Sequence, residues 1–289
     1  MGPMRIDLHT HSTVSDGTDT PADLVRTAAR AGLDVVALTD HDTTAGWAEA
    51  TEALPPGMTL VPGAELSCVS HHDAGRGISV HLLAYLFDPT SAAIVTEQQR
   101  LRIERRTRLH AMAARMADDG LPVDPDELIG SLPVDSPAGR PHLAQALVRA
   151  GLVTTVDEAF AEYLGNGRGY YLPRQDTPVE DAIDMIAAAG GVTVFAHPFA
   201  RSRGRVVSAE TIAKLAERGL TGVEVDHPNH DARAREELRG LARELNLAQT
   251  GSSDYHGTNK AIPIGAETTD PEQLEALTEK ASGSQVATG

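Results

Sequence analysis

Cysteine is almost absent from this chain of 289 residues, in which Cys68 is the only one. A single cysteine excludes an internal disulfide and any zinc site built from several thiolates. The chain does contain 12 histidines and 41 acidic residues. Any metal site must therefore use imidazole nitrogen and carboxylate oxygen, which are suitable ligands for zinc, manganese or iron.

Positive charge and aromatic side chains are also scarce. The formal net charge is −16, and aromatic residues make up 3 % of the chain. Proteins that coat nucleic acid neutralise phosphates with many exposed basic side chains, so duplex nucleic acid is not expected as a partner. Because the protein as a whole is acidic, an anionic substrate must be bound by positive charge that is concentrated at its binding site. No base-stacking platform is evident, and Tyr170, Tyr171 and Phe199 are candidates that could equally belong to the core.

No apolar stretch is long enough to cross a membrane, which takes about 20 residues. The N-terminal segment from Met1 to Asp7 lacks a positive region followed by an apolar one, so nothing there resembles a secretory signal. We expect a cytoplasmic protein without a membrane partner.

Short β-rich runs alternate with helical patterns along most of the chain, which predicts a parallel sheet wrapped by helices. The seven predicted strands centre on residues 6–8, 35–38, 59–61, 78–85, 192–195, 222–225 and 247–250. Helices are predicted over 20–31, 43–54, 179–189, 208–218 and 231–245. This length and alternation favour one barrel-like domain.

The alternation is broken once, by a long Arg-rich stretch without a convincing buried strand. We predict a discontinuous barrel, 1–88 and 174–280, with a helical insertion domain over 89–173. Its helices are predicted at 91–119, 125–131, 140–150 and 155–164. The small, polar tail over 281–289 is expected to be disordered.

Histidines and acids collect where the predicted strands end, the edge at which parallel barrels build their active sites. They are His9 and His11, Asp40 and His41, Glu65, His197, Asp226 and His227, and Asp254 and His256, with His81 inside the fourth strand. About one residue in five is His, Asp or Glu, so one such residue means little. One or more from every strand indicates a shared metal site.

Spacing within the strands supports chelation. His9 with His11, and Asp254 with His256, are two residues apart and point to the same side of a strand. The carboxylate of Glu65 can bridge two ions. Each residue also has a simpler explanation, since a lone His81 between apolar neighbours is usually a core histidine and a His-x-His pair can lie on a solvated edge.

Neighbouring acids have more than one possible role. Asp40 is interpreted as a carboxylate behind the ligand His41, and Asp42 or Thr43 as the N-cap of the next helix. Asp7 either orients the imidazole of a ligand or is a structural acid whose hydrogen bonds are made within the fold. The remaining histidines are given no metal role; they are His71, His72, His110 and His230.

Several segments share the order of motifs of a known family. They are Asp7-Leu8-His9-Thr10-His11-Ser12 with Asp16-Gly17, Thr39-Asp40-His41-Asp42, Pro62-Gly63-Ala64-Glu65, His81, Ala196-His197-Pro198 and Ser253-Asp254-Tyr255-His256. Together they resemble the polymerase and histidinol phosphatase superfamily, called PHP, over nearly the whole chain outside the insertion.

The resemblance implies a distorted, TIM-like (β/α)7 barrel of α/β class with an inserted small helical domain and two to three divalent ions of manganese, iron or zinc. The implied ligand sets are His9, His11, Glu65 and Asp254; Glu65, His81 and His197; and Asp16, His41 and His256. Many relatives have histidine where Asp16 stands, and a carboxylate there shifts the preference towards manganese or iron.

The chain looks most similar to the branch of nucleoside 3′,5′-bisphosphate phosphatases and RNA 5′-end exonucleases. In Gly139-Arg140-Pro141-His142, a first-turn proline would place Arg140 at a helix N-terminus, a natural phosphate site, although it could be an exposed capping arginine. Arg201, within the group Arg201, Arg203 and Arg205, is a second candidate for phosphate binding. His227 is a candidate substrate contact.

The implied reaction is hydrolysis of a nucleotide phosphomonoester, foremost a nucleoside 3′,5′-bisphosphate or an AMP-like mononucleotide. The nucleophile would be a metal-bridging hydroxide, without a covalent protein intermediate. The ions and Arg140 would stabilise the developing oxyanion charge, and His227 is a further candidate for a catalytic role. Three alternatives remain: a 5′→3′ exonuclease on short RNA, a histidinol phosphatase and a non-catalytic, metal-stabilised interaction module. The two candidate phosphate-binding sites, at Arg140 and Arg201, argue mildly against histidinol phosphate as the substrate. The negative net charge argues against processive RNA degradation. The complete set of metal ligands argues against a non-catalytic module.

Overall fold

The centre of the fold is a sheet that curls into a nearly closed barrel. The computed structural model describes residues 4–73, 75, 77–132, 138–165 and 167–289. The strands along the sheet are β1 (Ile6–Asp7), β2 (Val35–Leu38), β3 (Thr59–Ser70), β4 (Ile78–Tyr85), β5 (Val192–Ala196), β6 (Gly222–Asp226) and β7 (Ala248–Gly251). A parallel bridge between Thr10 and Tyr255 joins the two ends. The predicted α/β barrel class is confirmed.

The sheet is mixed, whereas the alternation of strands and helices predicts a parallel one. Strand β4 runs antiparallel to both of its neighbours, β3 and β5, and the other neighbouring strand pairs along the barrel are parallel. Residues 71–77 connect β3 to β4, and a parallel crossover needs about a dozen residues or more. The reversal places the first half of β4 beside the carboxyl ends of the other strands.

Helices cover the outside of the barrel. They are α1 (Pro21–Arg30), α2 (Trp47–Glu52), α7 (Val179–Ala188), α8 (Ala209–Arg218), α9 (Ala232–Glu244) and α10 (Pro271–Thr278). Thr20, Ser208 and Asp231 cap α1, α8 and α9 by accepting a backbone N–H with the side chain. Helix α2 is shorter than predicted, and neither Asp42 nor Thr43 is its N-cap, which is Gly46.

Apolar side chains from facing strands fill the barrel and form a floor beneath the polar end. Leu8, Val61, Leu83 and Val194 belong to this cluster and are almost fully buried. The hydroxyl of Tyr85 donates a 2.6 Å hydrogen bond to the carbonyl of Leu8, so the one polar group of this ring is satisfied. A rigid floor of this kind holds the strand ends above it in fixed positions.

The predicted insertion contains helices α3 (Ala92–Asp118), α4 (Pro125–Gly130), α5 (Arg140–Arg149) and α6 (Val156–Ala159), followed by a π-helical turn at Phe160–Leu164. It has its own apolar cluster, which includes Leu109, Met112, Leu128, Leu143 and Leu147. This separate core supports an insertion, whose limits stay a prediction. Residues 133–137 and 166 of the insertion, and residues 1–3 of the N-terminus, lie outside the described residues.

The C-terminal tail differs from the expected disorder. Ala287–Thr288 pairs antiparallel with Thr59 and Leu60 at the start of β3, and the Ser282 amide donates to the carbonyl of Gly190 at 2.7 Å. Strand β4 pairs with β3 only from Gly63 onwards. The first residues of β3 therefore present an open edge, which the tail covers. Among the described helices, none is long and apolar enough to cross a membrane.

Candidate active site

All nine side chains predicted as metal ligands meet at one end of the barrel. They are His9, His11, Asp16, His41, Glu65, His81, His197, Asp254 and His256. His81 joins them because β4 is reversed, which brings an early position of that strand to the carboxyl ends of its neighbours. Most of these side chains are buried, and His81 is the most exposed of them.

Glu65 is the centre of the cluster. Nitrogens of five imidazoles lie within 3.2 Å of its two oxygens, namely those of His9, His11 and His41 around Oε2 and those of His81 and His197 around Oε1. A carboxylate surrounded in this way can share its oxygens between two cations. Asp254 lies next to it, with Oδ1 3.5 Å from His9 Nε2 and 3.6 Å from His11 Nε2.

Asp16 forms a further group with histidines on the other side of His11. Its carboxylate lies 3.3 Å from His256 Nε2 and 3.8 Å from His41 Nε2. Asp40 orders the loop that carries Asp16, because it accepts hydrogen bonds from the Ser12 amide at 2.8 Å and the Ser15 hydroxyl at 2.6 Å. Asp40 therefore supports the site through this loop.

The hydrogen bonds behind the imidazoles fix which nitrogen faces the centre. His9 Nδ1 lies 3.1 Å from a Glu224 oxygen, and His256 Nδ1 lies 2.9 Å from the backbone carbonyl of Asp254. Both partners are acceptors, so the proton stays on Nδ1 and the lone pair of Nε2 points into the cluster. Nitrogen Nε2 of His9 is 3.1 Å from Nε2 of His11, a short approach between two acceptors unless a proton or a cation lies there.

Three overlapping groups could each hold an ion: His9, His11 and Asp254; His11, Asp16, His41 and His256; and His41, Glu65 and His81. Within the described part of the chain, His41 Nδ1 is buried and lies 3.2 Å from Glu65 Oε2, but the angle between the two groups does not allow a hydrogen bond. An orphaned ring nitrogen amid carboxylates is expected where a cation binds. The residues therefore fit divalent cations, in groups that partly differ from the implied ligand sets.

The charges of the site favour cations as well. Burial lowers the pKa of His41 well below its usual value and, with the charge of Arg203, lowers that of His197 to about 3. Burial would raise the pKa values of Glu65 and Asp16, but the surrounding imidazoles outweigh it and hold both well below normal. His9 is the exception: burial lowers its pKa, but the carboxylates of Glu65, Asp254 and Glu224 outweigh burial and hold that pKa well above its usual value. Divalent metals bind neutral imidazoles and ionised carboxylates, so a cation would displace the extra proton of His9.

Two of these residues also have strained backbones. His197 and Asp254 have φ values of +31° and +53°. Such values are uncommon for residues with a side chain, and the surrounding structure must compensate for a cost of about 1–3 kcal/mol each. The cost is reasonable where function requires both side chains to point into the cluster.

Comparison with known proteins places this geometry in a family, since residues 7–164 match the PHP domain. The chain belongs to the PHP domain family. A 5′-3′ exoribonuclease of Haemophilus influenzae is 32 % identical over 262 residues, which are 90 % of this chain and 93 % of the relative. A 3′,5′-nucleoside bisphosphate phosphatase of Chromobacterium violaceum is 32 % identical over 253 residues, 87 % of each chain.

A solved structure agrees with this assignment. A metal-dependent phosphoesterase from Bifidobacterium adolescentis matches with a TM-score of 0.90 and 35 % identity, covering 97 % of this chain and 98 % of that one. The protein is thus a PHP phosphoesterase that depends on metal ions, and the predicted hydrolase class is confirmed.

Glu224 is a central residue of the PHP site that the sequence argument missed. It is fully buried in β6, and its oxygens bind His9 Nδ1 at 3.1 Å and the His197 amide at 2.7 Å, as well as the hydroxyl of Ser252. The sequence does carry a sign of this role, because an acidic residue between Val223 and Val225, in a run that predicts a buried strand, needs a buried partner. Glu224 orients two of the histidines from behind.

Replacing Glu224 with glutamine is expected to lower metal affinity or kcat/KM about 10- to 100-fold. Glutamine has one acceptor oxygen where Glu224 has two, so its NH2 group must face either the Nδ1–H of His9 or the amide of His197. Metal content of the purified protein and phosphate release measure the two effects. Glu244→Gln, at an exposed position on α9, is the control. A Glu224→Gln protein with wild-type metal content and activity would contradict this role.

Asp7 and His227, for which the sequence suggested roles, both lie behind the metal-site residues. Asp7 accepts hydrogen bonds from the Ser253 hydroxyl at 2.6 Å and the Gly265 amide at 2.8 Å, as a structural acid does. His227, predicted to contact substrate, is fully buried; its Nδ1 accepts from the Asn229 amide and its Nε2 lies 3.4 Å from Asp254. Because His227 is buried behind Asp254, it cannot reach a substrate, and its contact with Asp254 is suited to positioning that carboxylate.

Arg201, the other predicted phosphate ligand, lies outside the site. Its guanidinium covers the Phe199 ring at 4.8 Å and pairs with Glu237 at 3.2 Å, and both charged side chains are substantially exposed. Arg203 reaches the PHP site instead, where it donates a 2.6 Å hydrogen bond to Asp254. The loop after β5 turns between these two arginines, so that they point in different directions.

A cavity of about 800 Å³ opens beside the metal-site residues. One side is lined by Asp16, His41, His81, His197 and His256, and a second set of lining residues consists of Arg105, Arg108, Arg140, Arg168 and Arg174. Arg140 is the first residue of α5, as predicted, and its guanidinium lies 5.3 Å from the centres of the Phe160 and Tyr171 rings. Burial lowers the pKa of Arg140 to about 10 and that of Arg108 to about 9.

Proposed function

We propose that this protein hydrolyses a phosphomonoester of a small nucleotide, foremost a nucleoside 3′,5′-bisphosphate. The observation that carries the proposal is that one cavity is lined both by metal-site residues and by a set of arginines. A substrate with two phosphates would present one to each set. A volume of about 800 Å³ is typical of sites for small molecules, which favours a mononucleotide over a long RNA.

The nine metal-site residues would hold two to three ions, and the carboxylate of Asp16 favours manganese or iron. Divalent ions in such a site polarise phosphoryl oxygens and lower the pKa of bound water. Glu65, Asp16 and Asp254 would keep the local charge balanced, and Glu224 would keep the His9 lone pair directed at the centre. The buried floor of the barrel would exclude bulk water from below.

The arginines would recognise the second phosphate. Arg108 and Arg140 flank the ring of Tyr171, each at 5.3 Å. A planar guanidinium can form two parallel hydrogen bonds to a phosphate, and ring stacking restricts its orientation. Histidinol phosphate has no second phosphate, so it would leave this set of arginines unused.

Cleavage of short RNA from the 5′ end is the second candidate function. The exoribonuclease and the bisphosphate phosphatase are equally similar to this chain, at 32 % identity each. Both substrates offer two phosphates separated by one nucleoside, so the same cavity suits either. The test measures phosphate or nucleotide release by manganese-loaded protein from four substrates: adenosine 3′,5′-bisphosphate, AMP, histidinol phosphate and a short 5′-phosphorylated RNA. The preferred substrate separates these possibilities. Preference for AMP or histidinol phosphate would refute the two-phosphate proposal.

Arg140→Met is expected to lower kcat/KM for adenosine 3′,5′-bisphosphate about 10- to 100-fold, because a charge-assisted contact to phosphate contributes about 1.5–3 kcal/mol. Hydrolysis of p-nitrophenyl phosphate, which has one phosphate, should change much less. Arg149→Met, at an exposed position at the end of the same helix, is the control. Equal losses on both substrates would argue against a role in binding a second phosphate.

A further inference from the structure

Two cations meet at one oxygen of Asp254. Oδ2 of this carboxylate lies 2.7 Å from Lys260 Nζ and 2.6 Å from Arg203 Nη2. The other oxygen, Oδ1, faces the nitrogens of His9, His11 and His256 at 3.4–3.6 Å. Oδ1 thus faces three metal-site histidines, and Oδ2 faces the two permanent cations and, at 3.4 Å, the buried His227 Nε2.

The two cations are more accessible than the carboxylate that holds them. Asp254 is itself nearly fully buried, whereas the Arg203 and Lys260 side chains are 35 % and 29 % exposed. Both belong to the lining of the cavity, together with Asp16, His197 and His256. The two cations therefore border the same space as the metal-site residues, where an anion can reach both of them.

Arg203 is also held in place from its other end. Its Nε donates to the Asn229 side-chain oxygen at 2.8 Å, so the guanidinium spans from the loop after β6 to Asp254. Lys260 follows Asn259, whose side chain binds the carbonyl of Asp16 at 2.8 Å. Both cations lie in loops that also carry metal-site residues, since His197 precedes Arg203 and His256 precedes Lys260. Little reorganisation is therefore needed before they meet an anion.

The geometry points to Lys260 and Arg203 as direct ligands of the reacting phosphoryl group, held for that purpose by Asp254. Negative charge spreads over the non-bridging oxygens of the phosphoryl group in the transition state, and preorganised cations stabilise it. Neither side chain exchanges a proton in this role, and each donates hydrogen bonds only. The inference rests on the phosphoesterase activity and not on the identity of the nucleotide.

The test uses the full-length, manganese-loaded protein and p-nitrophenyl phosphate, which has no second phosphate. Lys260→Met and Arg203→Met are each expected to lower kcat/KM about 100-fold. Inorganic phosphate should inhibit each variant about tenfold more weakly, since an ionic contact is lost. Manganese content per chain, measured by mass spectrometry, should equal that of the wild type.

Conservative variants guard against misfolding. Lys260→Arg and Arg203→Lys keep a cation on Asp254 and are expected to recover part of the activity and of the phosphate inhibition. Lys280→Met and Arg218→Met are the matched controls, because both positions are exposed and neither lines the cavity. The inference is overturned if kcat/KM of the methionine variants stays within threefold of wild type, or if activity falls only in proportion to lost manganese, which would reduce both residues to supports of Asp254.

Discussion

Glu65→Gln is expected to lower kcat on any phosphomonoester by on the order of 10³-fold or more, the largest effect of a single substitution in this protein. The residue is nearly fully buried, and both of its oxygens are surrounded by ring nitrogens. Glutamine preserves the shape but replaces one oxygen by an NH2 group, which cannot bind a cation. The loss therefore affects every group of ligands that shares this carboxylate.

Metal content and thermal stability provide readouts that do not depend on turnover. Manganese should raise the melting temperature of the wild type, since a ligand at 100 times its Kd stabilises the folded state by about 2.7 kcal/mol. Glu65→Gln should show little of this increase. Glu52→Gln, at an exposed position on α2, should behave as wild type. A Glu65→Gln protein that binds a full complement of manganese and retains a tenth of the activity would refute the central role of this residue.

Arg105→Met is expected to lower the free energy of unfolding by about 3–5 kcal/mol. Its guanidinium pairs with Asp42 at 2.5 Å, and the two side chains are 5 % and 0 % exposed. Without the arginine, the charge of Asp42 would be left in the interior with Ser67, whose amide and hydroxyl donate to it at 2.7 and 2.8 Å. The pair also links α3 of the insertion to the barrel.

Urea denaturation of the metal-free protein measures this effect without a contribution from bound ions. The double variant Asp42→Asn/Arg105→Met should recover part of the stability, because the unpaired buried charge is gone. Arg26→Met provides the contrast, since its pair with Asp23 at 3.3 Å is more than half exposed and such pairs contribute about 0–1 kcal/mol. Similar losses in Arg105→Met and Arg26→Met would refute the proposed importance of the buried pair.

The strand ends illustrate how much of the site could be predicted. His9 and His11, or Asp254 and His256, are recognisable because a spacing of two residues places both side chains on one face of a strand. Glu65 and His197 follow runs of apolar residues that already predict strands. The tertiary structure brings these side chains together, and their roles as ligands stay a prediction that metal analysis can test.

The sequence alone determined the α/β class, the family and the types of side chain at the strand ends, since these depend on local periodicity and motif order. The tertiary structure decided the direction of β4, the pairing of the tail with β3, and the choice of Arg203 over Arg201. It also revealed Glu224 behind His9. Each of these depends on what lies opposite a residue in space. Contacts between distant segments leave no period in the sequence, and a loop has no regular spacing to indicate which of two nearby arginines turns inward.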